Sequence, residues 1–294
     1  MSPDSPRRVD TGQRHPLLDV AATRQLESDA LKRLPAGTLM QRAGLATARL
    51  GMALAPHARR VWVAAGPGNN GGDGIEAALH LHRWGLSPVV TWLGDGRPVP
   101  PDAQAARQRA HEAGVRFSNS LPEGLGPGDL VIDALLGIGR AREPDGTMGD
   151  WIDHINQTSA KVLAVDIPTG LDADSGGAGR LAVRAHATLS LLSLKPGLFM
   201  QQGRDLAGDL WFDPLGVDEP GEPSAWLNAA PRRPHRPHAS HKGSHGDVAV
   251  LGGEGLAHRG WGMSGAATLA ALAALHGGAG RVLQIGRASC RERV

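Results

Sequence analysis

The 294-residue sequence contains one cysteine and no tyrosine. A single thiol, Cys290, cannot form an internal disulfide, and no group of cysteines is present that could bind zinc. The absence of tyrosine excludes every mechanism that needs a catalytic tyrosine, including the Tyr-Lys type of dehydrogenase. These two shortages therefore leave the chemistry to carboxylates, amides, hydroxyls and basic side chains.

Long apolar runs are missing as well. The longest apolar stretches fall far short of the roughly 18 residues that a membrane helix needs. The first sixteen residues are polar and rich in proline, without the apolar core of a secretory signal, and we expect them to be disordered. We expect a soluble, cytoplasmic protein. Because the 31 basic and 29 acidic residues nearly balance and the arginines are scattered, no nucleic-acid partner is predicted.

The middle of the chain alternates short apolar runs with helical patterns, which predicts a mostly parallel sheet with helices on both faces. Thr38 and Gln41 have the spacing of a helix capping box. The strands are predicted at residues 61–65, 88–93, 115–117, 130–134, 162–165, 187–192 and 208–212, and the helices at 21–31, 38–55, 75–84, 102–113 and 151–156.

The C-terminal quarter breaks this pattern. Residues 218–240 are rich in proline, arginine and histidine and are predicted to be a linker. Four histidines in or beside this stretch could bind a metal weakly, but a solvated linker is the better interpretation. Residues 241–284 begin a second domain, with a strand at 248–251 and a helix at 264–275, and are too few to close a core. Residues 285–294 can be obtained by translating a common sequencing adapter and are expected to be an artefact, so no function is assigned to Cys290.

The densest motif is GPGNNGGDG, Gly66–Gly74, between a predicted strand and a predicted helix. Its glycines match G-x-G-x-x-G, and Asp95 follows the next strand, where a dinucleotide-binding fold has its ribose acid. Glycines let the backbone approach a ligand, and the start of the following helix favours phosphate. No Lys-Ser or Lys-Thr pair follows, so a P-loop is excluded. A tight turn alone would explain the glycines but not Asn69, Asn70 and Asp73.

Two further carboxylates follow predicted strands. Asp133 and Asp166 both lie at the carboxyl ends of strands, which is the edge of a parallel sheet where ligands bind. Either residue could instead serve a turn or a helix cap, since Pro168 and Gly170 mark a turn by themselves. Taken with the glycine segment, the pattern predicts three segments converging on one crevice.

Four motifs in order resemble the NAD(P)H-hydrate epimerase family, which repairs hydrated nicotinamide cofactors. They are GPGNNGGDG at 66–74, VIDALLGIG at 131–139, VDIPTGLD at 165–172 and LKPGL at 194–198. The resemblance covers residues 17–217. It implies a doubly wound, Rossmann-like α/β fold and epimerisation of the R and S forms of hydrated NADH or NADPH.

The resemblance also implies roles for individual residues. Asp166 is the implied catalytic acid/base, and Arg140 and Arg142 are placed to pair with phosphates. Ile138 and Arg142 depart from the commonest family pattern, so the preferred nucleotide stays open. The implied potassium ligands are Asn70, Asp133 and Thr169. The implied substrate-binding residues are Asn69, Asn70, Gly71, Gly72, Asp73, Gly137, Ile138, Gly139, Arg140, Ala141, Arg142, Glu143 and Asp166.

The second domain resembles the start of another repair enzyme. SHKGSHG at 240–246, VAVLGG at 248–253 and MSGAA at 263–267 are similar to the ADP- or ATP-dependent NAD(P)H-hydrate dehydratase, which has a ribokinase-like fold. The whole chain therefore resembles a bifunctional repair enzyme with a truncated dehydratase half, expected to be inactive. Two other functions remain open: a non-catalytic nucleotide-binding module and an NAD-linked dehydrogenase. The sequence leaves open whether the chain forms a homo-oligomer.

Overall fold

The computed structural model describes residues 5–94, 96, 98–139, 143–217, 222–231, 235–253 and 264–286. It divides into two units, Met1–Ala230 and Pro231–Val294, with the division inside the stretch predicted to be a linker. Among the described residues, no helix has both the length and the apolar character needed to cross a membrane.

The first unit is built on an eight-stranded sheet in the order β1-β9-β8-β7-β6-β3-β4-β5. All neighbouring pairs are parallel except β1 with β9. The chain builds the sheet outward in one direction from β3 and in the other from β6, so the topological switch lies between these two strands. The strands are β1 Arg7–Arg8, β3 Val61–Ala65, β4 Pro88–Trp92, β5 Arg116–Phe117, β6 Leu130–Ala134, β7 Lys161–Val165, β8 Ala187–Leu191 and β9 Asp209–Asp213.

Helices cover both faces of this sheet, as the alternating pattern predicted. The period of two along β3 sends Val61 and Val63 into one apolar cluster and Trp62 into another. The first cluster includes side chains of α1 to α4, and the second includes side chains of α5. The helices are α1 Val20–Leu31, α2 Thr38–Leu54, α3 Asn69–Arg83, α4 Pro101–Glu112, α5 Gly146–Gln157 and the short α6 Gly203–Leu206.

Two predictions about helix starts were wrong. α3 begins at Asn69 rather than Ile75, so the Asn-Asn-Gly-Gly-Asp segment forms the first turns of a helix instead of a loop. The capping box does not form, because Thr38 is already helical and Gly37, at a φ of 74°, makes the turn into α2 without a side-chain cap. Local residue preference favoured a later start for α3, but its first turns are held by packing, as described below.

Of the N-terminal stretch predicted to be disordered, the structure describes residues 5–16, and some of these form short strands of the first unit. β1 pairs antiparallel with β9, and Arg8 forms an ion pair with Asp209 at 2.7 Å. A second ribbon joins β2, His15–Leu17, to β10, Ala225–Leu227, which lies inside the predicted linker. The strands in the N-terminal stretch and in the predicted linker have one cause. The backbone of a sheet edge or of an extended segment needs hydrogen-bond partners. Short strands provide these partners without any apolar periodicity that the sequence could show.

The second unit contains two parallel strands, one α-helix and a short 3-10 helix at Lys242–His245 among its described residues. β11, Asp247–Leu251, pairs with β12, Arg281–Ile285, and α7 spans Ser264–Gly277. Strand β12 was not predicted, and it includes the first residue of the expected adapter-derived tail. Residues 287–294, with Cys290, lie outside the described part of the chain. In the described ranges, no three His, Cys, Asp or Glu side chains gather as metal ligands do.

Candidate active site at the carboxyl edge of β3, β6 and β7

Three glycines of the first motif, Gly66, Gly71 and Gly74, are required by close packing. A Cβ atom on Gly66 would lie 1.8 Å from the carbonyl oxygen of Leu135, and one on Gly71 would lie 1.9 Å from the carbonyl oxygen of Gly66. A Cβ on Gly74 would lie 2.4 Å from the Cβ of Ala134. The start of α3 therefore lies directly against the ends of β3 and β6, which fixes the side chains between these glycines.

Asn70 is the buried polar side chain that most clearly indicates a bound ligand. It is 8% exposed, and neither its amide oxygen nor its amide nitrogen has a hydrogen-bond partner among the described residues. Its Oδ1 and the Oδ2 of Asp166 each lie 3.2 Å from the point where a Cβ of Gly137 would stand. Buried polar groups are nearly always paired, so this amide indicates a ligand position beside Gly137 and Asp166.

Asp133 and Thr169 form the second part of the site. Asp133 is fully buried, and its two carboxylate oxygens accept hydrogen bonds from the Thr169 hydroxyl at 2.7 Å and the Thr169 amide at 2.9 Å. Burial raises the pKa of Asp133 to about 6, although these bonds act to lower it. The Thr169 hydroxyl also accepts from the Leu136 amide at 3.0 Å. The segment leading to Gly137 is therefore tied to both residues.

Asp166 has an unusual backbone conformation, and its side chain is bound to a buried cationic side chain. It follows β7 with a φ of 69°, a conformation that non-glycine residues adopt rarely and mostly at functional sites. Its Oδ1 accepts a hydrogen bond from the ammonium of Lys195, which is itself fully buried. The same ammonium donates to the carbonyl oxygens of Leu191 at 2.7 Å and Ser193 at 3.0 Å. Lys195 therefore holds one oxygen of Asp166 and leaves the other on the side of Asn70.

Helix α1 contributes residues that no motif indicated. The hydroxyls of Thr23 and Ser193 are hydrogen-bonded at 2.7 Å, and Arg24 donates to the carbonyl oxygen of Gly139 at 2.9 Å. Glu27 lies one turn beyond Thr23 on the same side of the helix. Burial, and then repulsion from Asp166, raises the pKa of Glu27. The only sequence signal for these residues was the apolar face of a short helix far upstream of the motifs.

Comparison with known proteins matches residues 36–197 to the family described as YjeF-related protein N-terminus. The chain belongs to this family. It is 36% identical over 188 residues to the NAD(P)H-hydrate epimerase of Oenococcus oeni, which is 64% of this chain and 89% of that protein. It is also 36% identical over 260 residues to the bifunctional NAD(P)H-hydrate repair enzyme of Escherichia coli K12.

The match to the bifunctional relatives is partial. It covers 83% of this chain but 48% of the E. coli protein, so the chain spans about half the length of such relatives. A yeast protein of known crystal structure superposes with a TM-score of 0.58 over 72% of this chain and 99% of its own, at 20% identity. At that identity the superposition shows a shared fold only. The YjeF-related region contains the carboxyl-edge residues, whereas Thr23, Arg24 and Glu27 of α1 precede it.

The structure brings together part of the residue set that the motifs implied. Asn70, Gly137 and Asp166 meet at one point, and Asp133 and Thr169 join them through the segment after β6. Ile138 and Gly139 continue that segment, where Arg24 binds their carbonyl oxygens. Glu143 lies instead against Gly179, where a Cβ would be 2.7 Å from its Oε1. Asp95 and the implied phosphate-binding residues at 140–142 lie outside the described residues.

Acidic groups are in excess around this point of the YjeF-related domain. Burial raises the pKa of Asp73 well above its usual range, and Asp166 and then Glu27 raise it further by repulsion. Among the described residues, Lys195 is the cation bound to Asp166, and Arg24 is bound to the carbonyl oxygen of Gly139. A buried excess of carboxyl groups stabilises a bound cation, so the electrostatics of the crevice favour one.

Proposed function

We propose that this chain interconverts the R and S forms of hydrated NADH or NADPH, as the names of its epimerase relatives indicate for those proteins. The observation that supports this best is the pairing of Asp166, whose Oδ1 is held by Lys195, with an unpartnered amide at Asn70 beside its Oδ2. Inversion of a hydroxyl-bearing carbon requires a carboxylate that transfers protons and, beside it, a polar group that holds the substrate. A cytoplasmic location stays a prediction.

The reaction inverts the ring carbon that carries the hydroxyl. Oδ2 of Asp166 takes up a proton from solvent and gives it to that hydroxyl, which leaves as water with the electron pair of the C–O bond. The lone pair of the adjacent ring nitrogen stabilises the positive charge that this leaves on the carbon. Water then adds to the opposite face and releases a proton to solvent, which replaces the proton taken up by Asp166, so atoms and charges balance over the cycle. General acid–base catalysis of this kind typically contributes about 10²–10⁴-fold.

Substrate binding uses the two segments that flank Asp166. Asn69–Asp73 at the start of α3 and residues 137–143 after β6 would hold the nicotinamide half, with Arg140 and Arg142 pairing with phosphates. Arg24 supports the second segment by binding the carbonyl oxygens of Ile138 and Gly139.

A potassium ion fits the residues present. Asn70 has an unpartnered buried amide oxygen, and Asp133 is a carboxylate buried with a raised pKa, both of which a cation would correct. Together with the Thr169 hydroxyl they form an all-oxygen donor set, which suits a hard cation. Asn70, Asp133 and Thr169 would hold the ion, which when bound supplies positive charge near the substrate.

The test is exchange between the two epimers, followed by NMR on a mixture enriched in one form. We expect Asp166→Asn to slow exchange by about 10²–10⁴-fold. Asp153→Asn, a matched change on the exposed side of α5, should leave it unaltered. Ligand binding without catalysed exchange by the wild-type chain would favour the binding module, and hydride transfer from intact NADH would favour a dehydrogenase.

The second unit is proposed to lack dehydratase activity. Helix α7 is apolar on all sides, yet Leu269 is 68% exposed and Leu275 is 52% exposed. A helix of this kind is normally buried all round, and parallel strands are normally covered on both faces. A nucleotide site needs a closed support, and the described residues of this unit do not form one. Incubation with the S form and ATP or ADP should yield no NADH above a control without enzyme, and NADH recovery would contradict this.

A further inference from the structure

We propose that Lys195 is a positioning residue: it fixes Oδ1 of Asp166 so that Oδ2 faces the substrate carbon. This role rests on the proposed epimerisation. Lys195 lies in the LKPGL motif, for which the family resemblance implies no residue role.

The ammonium of Lys195 is surrounded by oxygen atoms. Besides Oδ1 of Asp166, it reaches the carbonyl oxygens of Leu191 at 2.7 Å and Ser193 at 3.0 Å, and the hydroxyl of Ser190 at 3.5 Å. An ammonium has three protons, and the three nearest acceptors use all of them. The group therefore has one preferred orientation, with Asp166 as its charged partner.

The backbone around this group is held in place from two sides. The Ser190 hydroxyl donates to the Ser193 carbonyl oxygen at 2.7 Å, and the Ser193 hydroxyl is bonded to Thr23 of α1. Leu192, which lies between Ser190 and Ser193, has a φ of 64°, and its backbone amide donates to the backbone carbonyl oxygen of Asp213 at 2.8 Å. Because the acceptors are tied to α1 and β9, the ammonium cannot follow Asp166 if that side chain rotates.

The consequence for Asp166 is a fixed direction. With Oδ1 bound to a buried, immobile cation, rotation about the terminal bond of the side chain would break the ion pair in a site where Lys195 is 1% exposed. Oδ2 is therefore kept 3.2 Å from the Cβ position of Gly137, beside the orphan amide of Asn70. Buried ion pairs add little net stability compared with apolar side chains of similar size. A role in orientation accounts for a lysine here better than stability does.

The experiment compares Lys195→Met, Asp166→Asn and the double variant in the full chain, with Lys161→Met as the control. Lys161 also donates to a backbone carbonyl, that of Leu54 at 2.6 Å, but lies on the exposed start of β7. We expect Lys195→Met to lower kcat for epimer exchange by about 10²-fold, the usual loss for a misplaced group, with little change in KM. The double variant should be no slower than Asp166→Asn alone, because Lys195 acts through that carboxylate.

Denaturant unfolding provides a readout that does not depend on activity. Asp166→Asn leaves a buried ammonium without its charged partner, so its unfolding midpoint should fall. Adding Lys195→Met should recover much of that shift, whereas two independent sites would add. If Lys195→Met does not fold, Lys195→Gln, which keeps one donor to the carbonyl oxygens, is measured in the same way.

The outcomes separate this proposal from the proposed function. A wild-type chain that does not exchange the epimers would overturn the epimerase assignment and this role together, even if the unfolding shifts are coupled. An active wild type with full kcat in Lys195→Met, or losses that multiply in the double variant, would overturn the positioning role alone. A large rise in KM without a fall in kcat would also overturn it, since Lys195 would then serve binding.

Discussion

Substituting Gly71 by alanine tests whether the glycine motif is a packing requirement. The added methyl carbon would lie 1.9 Å from the carbonyl oxygen of Gly66, whereas about 3 Å is the closest approach that real side chains show, so the two backbones must separate by roughly 1 Å. The start of α3 would move off the end of β3, and Asn70 would move with it. Overpacking of this kind costs about 1–3 kcal/mol, and a backbone contact places the expected loss at the upper end.

The matched control is Gly68→Ala in the same motif. A Cβ there meets nothing within 4 Å, and the residue has a φ of −96°, which any residue adopts. We expect its free energy of unfolding to stay within about 0.5 kcal/mol of wild type, because the gain from a stiffer unfolded chain offsets a slightly poorer helix cap. Urea denaturation of both variants measures the difference. Equal losses, or a larger loss for Gly68→Ala, would refute the packing explanation.

Three further predictions concern charge. The pKa of Asp73 is raised by burial and then by Asp166, so this carboxyl stabilises the fold while protonated and loses that contribution as the pH rises through its pKa. Asp73→Asn should therefore make the unfolding free energy less dependent on pH above about 4, the ordinary pKa of an aspartate, and an unchanged dependence in urea titrations would contradict this. Burial acts to raise the pKa of Asp129, but hydrogen bonds from Arg60 hold it below its usual range. Asp129→Asn should cost about 1 kcal/mol at neutral pH, since Arg60 is half exposed, and the difference from wild type should close as the pH falls through the pKa of Asp129. Replacing potassium by sodium should lower the melting temperature of the wild type but not of Asn70→Leu, and an equal drop in both would argue against Asn70 as a ligand.

The central strands could be predicted from the sequence because their signal is local. The bounds of β3 and β6 are those expected from their apolar runs, which stand between turn residues and are buried on both faces. The start of α3 could not be predicted in this way. Asn69–Gly74 contains poor helix formers. The segment is helical because Gly71 and Gly74, which lack a side chain, allow close contact with the ends of β3 and β6.

The short strands at residues 7–8 and 225–227 could not be predicted from the sequence either. Arg7–Arg8 and Ala225–Leu227 have too few residues for any period to be read, and their partners are about 200 positions away in the chain. What fixes Arg7–Arg8 is the need of the exposed edge at β9 for hydrogen bonds, which exists only once the sheet has formed. Ala225–Leu227 is fixed by its pairing with His15–Leu17 in a separate ribbon.

The candidate site shows the same division. By itself the sequence determined which chemical groups are available, and the motifs selected Asn70, Asp133 and Asp166, because parallel strands bring their carboxyl ends to one edge. Only the tertiary structure decided that Lys195 is wholly buried against Asp166 and that Glu27 of α1 faces the same crevice. Spacing along the chain carries no information about these contacts, because they depend on how a loop after β8 and a helix before β3 pack over that edge.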